Sequence, residues 1–360
     1  MLRKTINPVS IPMKYTITLI FFYFSILISV FAQTPSWQWA TKADGEEIHG
    51  TSVDVDDSGN TYVSGEFYGS ISFGSTRLNN SGHWSIYIAK YDGAGTLLWA
   101  KVVADASDIY VMALKVDASG KISIVGNFSG KANFVKTNSI SQTSNGDFDI
   151  YVAKYSNTGE IIWAKTAGET GYDAGRDLSI DGKGNCYITG EIHIAGESSS
   201  CKVFIAKYGD DGICPWFKMT DIGLFQNGRG ITTDASGNSY ITGQFFNKLI
   251  FDNIELDGPV ESHAFIAKFD TEGKVLWAKQ SGGGGYCWGD KVAIDNQGNS
   301  YVTGQFHFTI SFGSINLSSD GIVGMESSYV IFIVKYSEDG DVLWAKTSGG
   351  ASLSITAYGV

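Results

Sequence analysis

The sequence predicts an all-β fold, a β-propeller of four-stranded antiparallel blades, because three motifs recur in the same order five times. The first motif, Asp-Asp-Ser-Gly-Asn-Thr-Tyr-Val-Ser-Gly-Glu-Phe, occupies 56–67 and returns with small changes at 117–128, 181–192, 234–245 and 295–306. Copies with a period of this length are typical of propeller blades or solenoid turns and not of separate domains. The sequence therefore predicts five complete repeats, with partial strands at the two ends of the chain.

Each repeat begins with a hairpin that joins two predicted strands, a and b. In the fifth copy this hairpin covers 294–302, where Gly298 can adopt the positive φ that a tight turn requires. The carboxylate of Asp295 is placed to accept backbone N–H groups within that turn. A second hairpin, at 268–277 in the fourth copy, turns at Gly273 in the same way and joins strands c and d. The short apolar runs between the turns are rich in β-branched and aromatic residues, which favours strands over helices.

Strands c and d carry the second and third motifs. Strand c reads IYIAKY at 86–91, IYVAKY at 150–155, VFIAKY at 203–208, AFIAKF at 264–269 and IFIVKY at 331–336. Strand d centres on a tryptophan in every copy, and these residues are Trp99, Trp163, Trp216, Trp277 and Trp344. A tryptophan in every outer strand needs a neighbouring sheet to cover it, which favours radially stacked blades over independent sheets or one large sandwich. Antiparallel hairpins are unsuited to a β-helix or a leucine-rich solenoid, since those folds use one strand direction.

A further apolar segment, the excursion, stands between strands b and c in four of the repeats. It reads ISFGSTRL at 71–78, LIFDNIEL at 249–256 and ISFGSINL at 310–317, with a looser version near Ala132–Phe134. The third repeat omits it and runs directly through 191–201. Because one repeat lacks the excursion, the sequence predicts that it lies outside the blade core.

The DxxGNxYVTGxF, FIAKY and LWAK strings together resemble the SBBP-type β-propeller repeat of secreted bacterial proteins, from about Trp37 to Tyr358. The second copy departs from the pattern with Lys121 in place of Asn and Ser123 in place of Tyr, and the third with Phe217 in place of Ala. The resemblance implies a propeller within an exported protein, often a large surface or extracellular one. It brings no known catalytic residue and no cofactor.

Residues 1–32 have the features of a signal peptide. Basic residues follow Met1, and an apolar run over 15–31 ends at the small residue Ala32. The sequence thus predicts cleavage after Ala32, which leaves a repeat domain at 33–360 that is secreted or held at the cell surface. A retained membrane anchor is the alternative, but a spanning helix needs about twenty apolar residues. No later segment is long and apolar enough to span a bilayer, so no membrane span is expected after cleavage.

The two ends of the mature chain match parts of a blade. Trp39 lies in a segment that matches strand d, and we expect that segment to form the outer strand of the last blade. The last residues, 358–360, match the start of a strand a, as 289–292 do in the fifth repeat. The sequence therefore predicts a chain truncated at its C-terminus, whose full version has six or more units. A closed five-bladed ring with spare ends is the alternative.

Composition and charge limit the function classes. The 360 residues are 43% apolar, enough for one large core, and 44 Gly against 5 Pro suit a protein of many hairpins. The formal net charge is −11 and becomes more negative once the basic residues of the signal peptide are removed. An acidic surface disfavours binding to nucleic acid or to anionic lipid.

The four cysteines are Cys186, Cys201, Cys214 and Cys287. Export permits disulfides, but the other repeats carry different residues at the matching positions, so no blade requires a bridge. One bridge among the three cysteines of the third repeat and a chain of free thiols are both open at this point.

The sequence has no motif for catalysis, for a cofactor or for a metal. It contains no HExxH, no GxSxG, no P-loop and no Cys/His zinc spacing. Asp54, Asp56 and Asp57 crowd near the first turn, but the other turns offer a single Asp each, short of the oxygens that Ca²⁺ takes. These carboxylates are therefore interpreted as turn residues. The glycine run at 282–285 precedes no helix and is interpreted as a flexible loop.

A binding surface is predicted on one side of the repeats. In a propeller the a–b and c–d hairpins fall on one face and the b–c and d–a connections on the other, and only the second set varies here in length and content. The variable connections carry aromatic residues that can stack on sugar rings or anchor a protein partner. The candidate ligand-binding residues are Trp84, Tyr110, Tyr172, Tyr286 and Trp288, with His83 and Phe225 nearby. The alternative is that several of these rings pack between blades.

A polar residue follows the glycine of strand b in every repeat. The series is Glu66, Asn127, Glu191, Gln244 and Gln305. Its members share a side-chain carbonyl oxygen near the variable face, so they are candidates to ring the mouth of a central channel. Hydrogen bonds to the neighbouring blade's backbone would explain the series equally well.

The sequence favours an exported, non-enzymatic β-propeller that serves as a binding or interaction module for an unknown protein or glycan. One alternative is a propeller enzyme acting on polysaccharide, which would need two carboxylates, or a carboxylate and a histidine, at the channel mouth. The candidates for that chemistry are Glu66, Glu191 and His193. The other alternative is a structural spacer within a longer surface protein.

Overall fold

The computed structural model describes residues 38–80, 82–134, 140–194, 196–221, 223–319 and 329–348. The predicted signal peptide at 1–32 and the predicted terminal strand at 358–360 lie outside these residues. The described strands all lie in one compact unit, which begins at Thr41. Residues 38–43 have no regular structure, so the strand predicted around Trp39 is not formed in the described residues.

The described residues form 25 β-strands and no helix. Repeat 1 contains β1 (Asp44–Val55), β2 (Thr61–Phe73), β3 (Thr76–Asn79), β4 (Trp84–Tyr91) and β5 (Leu97–Ala106). Repeat 2 contains β6 (Asp108–Val116), β7 (Ile122–Ser129), β8 (Lys131–Phe134), β9 (Ile140–Thr143), β10 (Asp149–Tyr155) and β11 (Ile161–Ala167). Repeat 3 contains β12 (Ala174–Ile180), β13 (Cys186–Ile194), β14 (Glu197–Tyr208) and β15 (Trp216–Met219). Repeat 4 contains β16 (Gly223–Thr233), β17 (Ser239–Phe251), β18 (Ile254–Phe269) and β19 (Val275–Gln280). Repeat 5 contains β20 (Cys287–Ile294), β21 (Ser300–Phe306), β22 (Thr309–Phe312), β23 (Ile315–Ser318), β24 (Val330–Tyr336) and β25 (Val342–Thr347).

Within each repeat, four strands pair antiparallel in the order a, b, c, d. The sets are β1-β2-β4-β5, β6-β7-β10-β11, β12-β13-β14-β15, β16-β17-β18-β19 and β20-β21-β24-β25. The remaining strands form the excursions: β3 pairs with β2, β8 with β9, and β22 with β23, while in repeat 4 the excursion extends β17 and β18. The prediction of an all-β chain built from antiparallel sheets is confirmed.

The a–b turns have the geometry that the first motif predicts. In repeat 1, Oδ1 of Asp56 accepts hydrogen bonds from the N–H groups of Ser58 and Asn60, at 3.0 and 2.9 Å. Gly59 completes the turn with a φ of 78°. The same two N–H contacts recur at the other four a–b turns, on Asp117, Asp181, Asp234 and Asp295. Each carboxylate thus replaces water for two turn amides, which explains the recurring Asp-x-x-Gly-Asn pattern.

Strand a contains a β-bulge at the same place in every repeat. The extra residues are Thr51, Met112, Arg176, Arg229 and Asp290. The bulge presses a strand-a carbonyl against the glycine of strand b: a β-carbon at Gly65 would lie 1.9 Å from the carbonyl oxygen of His49. The equivalent glycines of the other four repeats meet a carbonyl at 1.8 to 2.0 Å. The motif glycine is therefore required by a close backbone approach, since no side chain fits there.

Four buried apolar clusters hold the five repeats together. Each cluster combines residues of two consecutive repeats, from the pair 1 and 2 to the pair 4 and 5. The first strands of consecutive repeats also contact one another, from β1 with β6 to β16 with β20. The core therefore lies between the sheets, where burial of the apolar faces stabilises the stack.

A tryptophan joint links the outer part of each repeat to the next. The Trp163 ring lies against Gly212 in the c–d turn of repeat 3, where a β-carbon would be 2.8 Å from its Cγ, and its indole Nε1 donates to the Asp210 carbonyl at 3.0 Å. Trp216 and Trp277 repeat both contacts one and two repeats further on, with carbonyl oxygens at 3.0 Å in each case. Trp99 lies against Gly159 in the same way. The strand-d tryptophan of the third motif thus packs against the c–d turn of the following repeat.

The lysine of strand c adds a polar contact to this joint. Lys154 is fully buried, and its Nζ lies 2.5 Å from Oδ1 of Asp210, 3.4 Å from Oδ2 of Asp117 and 2.7 Å from the carbonyl of Gly184. Lys207 and Lys268 reach the next c–d turn through carbonyl oxygens at 3.4 and 3.5 Å. A buried ammonium needs such partners, so the Ala-Lys-Tyr motif encodes an inter-repeat contact.

The prediction that the excursion lies outside the core is wrong. Ile71 and Phe134 are fully buried, and Phe134 belongs to the cluster between repeats 1 and 2. The excursions of repeats 4 and 5 likewise place Phe251 and Phe312 in inter-repeat clusters. An apolar hairpin beside a large interface buries its own apolar side, even though one repeat folds without it.

All four cysteines are free thiols, so of the two alternatives that the sequence leaves open, the structure has free thiols and no bridge within repeat 3. Cys201 is buried and its Sγ lies 3.0 Å from the carbonyl of Gln226. Cys214 is exposed near the c–d turn, while Cys186 is buried in the cluster between repeats 2 and 3. Each thiol thus has its own surroundings and no disulfide partner.

Candidate functional site

The predicted aromatic residues lie where the variable connections meet, and they form four separate clusters. In the first, the ring of Trp84 lies 5.9 Å from His49 and 6.0 Å from Tyr68. Trp84 begins β4, directly after the b–c connection, while Tyr68 is exposed at the end of strand b. The tryptophan is half-buried, so one part of its ring contacts protein and the rest faces solvent.

The second cluster joins repeats 2 and 3. Phe148 lies 5.9 Å from Tyr110 and 5.1 Å from Tyr172, and Tyr172 stands 6.1 Å from His193 in an edge-on geometry. A bridge between 148 and 172, with a 2.7 Å hydrogen bond from the N–H of Asp173 to the carbonyl of Phe148, ties the two connections together. The ring of Tyr172 remains exposed. Two of the predicted residues thus meet through Phe148, which the sequence analysis missed.

The third cluster joins the d–a connections on either side of repeat 4. Phe246 lies 5.4 Å from Phe225 and 6.4 Å from Tyr286. Phe225 and Tyr286 are exposed, and Phe225 has a positive φ of 48°. A large aromatic residue in that backbone region is strained, and such strain persists only where the surroundings impose it.

The fourth cluster surrounds Trp288 and contains a cation. The Trp288 ring lies 4.8 Å from Tyr329, and the Arg229 guanidinium lies 5.5 Å from the Trp288 ring centroid. Arg229 also donates to Oδ1 of Asp290 at 3.1 Å. The indole Nε1 of Trp288 is buried without a hydrogen-bond partner in the described structure, which leaves a donor for a ligand or a water molecule.

The polar series after the strand-b glycine is engaged with strand a or with the next connection. Glu191 receives two hydrogen bonds from Arg176, Gln244 donates to Oδ1 of Asn227 at 3.0 Å, and Gln305 donates to Oδ2 of Asp290 at 3.2 Å. Asn127 donates to the hydroxyl of Tyr172 at 3.3 Å, and Glu66 accepts from the hydroxyl of Thr51 at 3.1 Å. Three of these partners, Thr51, Arg176 and Asp290, are the bulged residues of strand a. In repeats 1, 3 and 5 the bulge therefore aims a side chain at the series, a link that no local sequence signal indicates.

The two candidate catalytic carboxylates have different surroundings. Burial raises the pKa of Glu66, although the Thr51 hydroxyl and His49, 3.5 Å away, oppose this effect. Glu191 is buried in an ion pair with Arg176. His193, the third candidate, contacts Tyr172 through its ring instead of either carboxylate. Burial thus disfavours the charged form of Glu66, while Glu191 is paired with the cation of Arg176.

A pair of buried aspartates beside the second cluster escaped sequence analysis. Asp149 and Asp173 both flank Gly168, where a β-carbon would lie 2.7 Å from each carboxyl group. Asp173 accepts from the N–H groups of Glu169 and His193 at 2.6 and 2.8 Å, while Oδ1 of Asp149 is buried without a partner in the described structure. Burial raises the pKa of both carboxyl groups. The aspartates come together only through the fold, since they belong to different repeats.

No group of three or more His, Cys, Asp or Glu residues in the described part of the chain is arranged to hold a metal ion. Likewise, no helix long and apolar enough to cross a bilayer occurs there.

Comparison with known proteins gives one distant sequence relative. No family model matches the chain. The chain is 23% identical, over 89% of its length, to an uncharacterized WD repeat-containing protein of Acanthamoeba polyphaga mimivirus. It spans 30% of the length of that relative. The relative is named for its repeats, and this chain is likewise built from repeated antiparallel β-units.

Solved structures of low overall similarity also match. A DUF4221-family protein from Bacteroides vulgatus is 10% identical, with 87% of this chain and 88% of that chain covered and a TM-score of 0.30. A eukaryotic initiation factor is 9% identical, with coverages of 85% and 90% and a TM-score of 0.24. TM-scores this low support no argument about this chain.

Proposed function

We propose that this chain is an exported, non-enzymatic β-propeller of the SBBP-repeat type, which binds a protein or glycan partner through its variable ends. The observation that carries the proposal is the contrast between the two ends of the repeats. One end repeats the same Asp-Gly turns five times, whereas the other carries four different aromatic clusters, three of which have an exposed ring. A scaffold of uniform hairpins that presents varied connections is the usual design of a binding surface.

Contacts between first strands support the propeller arrangement. Lys291 of repeat 5 lies 3.0 Å from Asp177 of repeat 3, and the same carboxylate accepts the N–H of Ile231 of repeat 4 at 3.1 Å. Three first strands therefore converge on one carboxylate, as blades do around a central axis. The WD repeats of the sequence relative are consistent with this arrangement and with a role in protein binding.

The aromatic clusters have the chemistry of a recognition surface. Exposed rings such as those of Tyr172, Phe225 and Tyr286 bury large apolar area on contact at little cost in side-chain entropy. The Trp288 cluster adds the cation of Arg229 and a buried indole N–H that has no hydrogen-bond partner among the described residues. Aromatic and arginine side chains of this kind dominate the binding energy of many interfaces.

A glycan array and a pull-down with the purified chain test the proposal. The Trp84→Ala and Trp288→Ala variants are expected to bind the captured ligand with an affinity lower by about tenfold or more, the usual loss for a truncated anchor residue. Ser119→Ala, at an exposed a–b turn, is the matched control and is expected to bind as the parent chain does. Unchanged binding in both tryptophan variants would count against the proposal.

The polysaccharide-enzyme alternative rests on Glu66, a buried carboxyl group beside the Thr51 hydroxyl and His49, whose pKa is raised by burial. A general acid needs such a pKa, but a glycosidase also needs a second carboxyl group about 5 to 9.5 Å away. Turnover of an array-positive polysaccharide that is lost in Glu66→Gln would replace the binding proposal with this one. Binding without turnover supports the non-enzymatic role.

A further inference from the structure

Two arginines occupy the same position in consecutive repeats. Arg176 and Arg229 are the bulged residues of strand a in repeats 3 and 4, and the described part of the chain has one other arginine, Arg77. Each guanidinium binds a carboxylate, Arg176 that of Glu191 and Arg229 that of Asp290. The arginine side chains nevertheless remain 34% and 37% exposed. The bulge thus presents a guanidinium, fixed by a carboxylate, at the variable end of two neighbouring repeats.

The pair in repeat 3 lies beside an exposed aromatic ring. Tyr172 directly precedes β12, which carries Arg176, and its ring contacts His193 on β13, the strand of Glu191. From repeat 2, Asn127 donates a hydrogen bond to the Tyr172 hydroxyl at 3.3 Å. The Tyr172 side chain is 39% exposed. The ring, the guanidinium and the carboxylate therefore belong to one surface, at the junction of repeats 2 and 3.

Two buried acceptor oxygens at this junction have no hydrogen-bond partner in the described structure. Arg176 donates from Nε, at 2.8 Å, and from Nη2 to the same oxygen of Glu191, and Oε2 of that carboxylate has no partner. Asn127 uses its amide nitrogen on Tyr172, while its Oδ1 has no partner. The two side chains are 1% and 2% exposed. The junction thus has a capacity for accepting hydrogen bonds that the protein itself does not use.

The charges at this junction favour an uncharged ligand with hydroxyl groups. Arg176 and Glu191 neutralise each other, and the buried Asp149 and Asp173 beside them accept backbone N–H groups instead of pairing with a described lysine or arginine. An anionic ligand would meet these carboxyl groups, and a cationic one would meet the guanidinium. A hydroxyl group satisfies both members of the pair, because it accepts from a guanidinium and donates to a carboxylate.

We infer that this junction binds one residue of a neutral saccharide, at a site formed by Asn127, Tyr172, Arg176 and Glu191, the Tyr172 site. The C–H face of the sugar packs on the exposed Tyr172 ring. Adjacent hydroxyl groups of the sugar, which are about as far apart as a hydrogen-bonded donor and acceptor, bind Arg176 and Glu191. The inference rests on the proposed binding role of the variable ends and narrows the ligand to an uncharged glycan.

The size of the exposed surface favours a sugar over a protein. A stable protein interface buries about 800 Å² on each partner. The exposed parts of the Tyr172 site are one phenol ring and one guanidinium, since Asn127 and Glu191 are buried. Such an area matches a single sugar residue, which needs one ring face and a few polar groups.

An array of neutral and acidic oligosaccharides, probed with the labelled full chain, tests the inference. Neutral glycans are expected to bind, and glycans that carry carboxylate, sulfate or phosphate groups are not. Titration with the neutral glycan that binds best then compares two variants with the parent chain. Tyr172→Ala removes the ring, and Arg176→Lys keeps the charge beside Glu191 but loses the planar set of donors. Each is expected to lower the affinity by about tenfold or more.

Arg77→Lys is the matched control, because Arg77 is exposed on β3, in the excursion of repeat 1, and this variant is expected to bind as the parent chain does. Thermal melts establish that each variant folds, and Arg176→Lys decides the question if Tyr172→Ala does not fold. Binding of acidic glycans alone, binding of no glycan, or unchanged affinity in the folded variants would each overturn the inference.

The proposed function is tested separately by the two tryptophan variants. If Trp288→Ala loses a captured protein or an acidic glycan while no neutral glycan binds, the variable ends are a binding surface and the Tyr172 site is not a sugar site. If neutral glycans bind and the affinity falls in Tyr172→Ala and Arg176→Lys but not in Arg77→Lys, the inference is supported.

Discussion

Replacement of the buried lysine of repeat 2, Lys154→Met, is expected to destabilise the chain strongly. Its ammonium group is fully buried and binds Asp117, Asp210 and the Gly184 carbonyl across the interface of repeats 2 and 3. Methionine keeps most of the apolar stem but removes the charge. Asp117 and the carbonyl then lose a partner in a buried environment, while Asp210 keeps Lys121 at 2.6 Å.

The size of the effect follows from which partners are left. Breaking a buried ion pair by removing one member costs about 3–5 kcal/mol, because the other charge stays buried. Here Asp210 is 41% exposed and retains a second lysine, so we expect the low end of that range, about 3 kcal/mol. The matched control is Lys101→Met. Lys101 also pairs across repeats, with Glu160 at 2.5 Å, but the two side chains are 36% and 57% exposed. Exposed pairs contribute about 0–1 kcal/mol.

Urea unfolding followed by tryptophan fluorescence measures both variants against the parent chain. We expect a large fall in the urea midpoint for Lys154→Met and a small one for Lys101→Met. Equal shifts would show that burial does not set the value of these contacts. A more stable Lys154→Met would show that desolvation of the lysine costs more than its partners return, and the reasoning would fail.

Three further outcomes are expected. Gly212→Ala and Gly59→Ala impose the same backbone strain, since both glycines have a φ of 78°, but only the first brings a β-carbon against Trp163. Thermal melts should show a loss of stability of about 1 kcal/mol at Gly59 and at least twice that at Gly212, and equal losses would contradict the packing of Trp163 on Gly212. Burial raises the pKa of Asp149, so its charged form is disfavoured in the folded chain at neutral pH. Asp149→Asn should therefore raise the melting temperature at pH 7, and the gain should fade as the pH falls toward the unfolded-state pKa of about 4. An equal gain at pH 7 and at pH 4 would contradict this prediction. A thiol reagent should modify Cys214 alone in the folded chain, and rapid reaction of the other three thiols would contradict their burial.

The turns and strands were predictable because their causes are local. The Asp56 carboxylate, Gly59 and Asn60 form a complete turn within five residues, so the pattern can be read without the rest of the chain. The strand-d tryptophans also predicted that each sheet needs a neighbour. The structure supplies the detail that the neighbour's contribution is a turn glycine and its preceding carbonyls.

The excursion and the bulge show what the repeat pattern conceals. Absence of the excursion from repeat 3 was interpreted as distance from the core, but Phe134 and Phe312 are buried because they extend an existing interface. In the sequence the strand-b glycine is only part of a recurring motif. In the structure it is required because a carbonyl of the paired strand a leaves no room for a side chain. A residue whose role depends on a contact with a distant part of the chain cannot be recognised from its neighbours in the sequence.

The sequence predicts a binding role for the aromatic residues of the variable connections, and that role stays a prediction. In the structure Tyr172 and Trp288 contact residues of neighbouring repeats, whereas Trp84 contacts His49 and Tyr68 of its own repeat. The partners Phe148 and Arg229 come from other repeats or other connections, and their pairing depends on how the sheets stack. Comparing the copies shows where they differ but cannot show which of the differing residues meet.

Hydrogen exchange of the purified chain with and without its captured ligand tests the central claim most directly. If the variable ends bind the partner, the backbone amides around Tyr172, Tyr286 and Trp288 exchange more slowly in the complex, while those of the a–b turns at 56–60 and 295–299 do not change. Protection of those turns with unchanged exchange at the aromatic clusters would place the binding surface on the opposite end of the repeats and contradict the account.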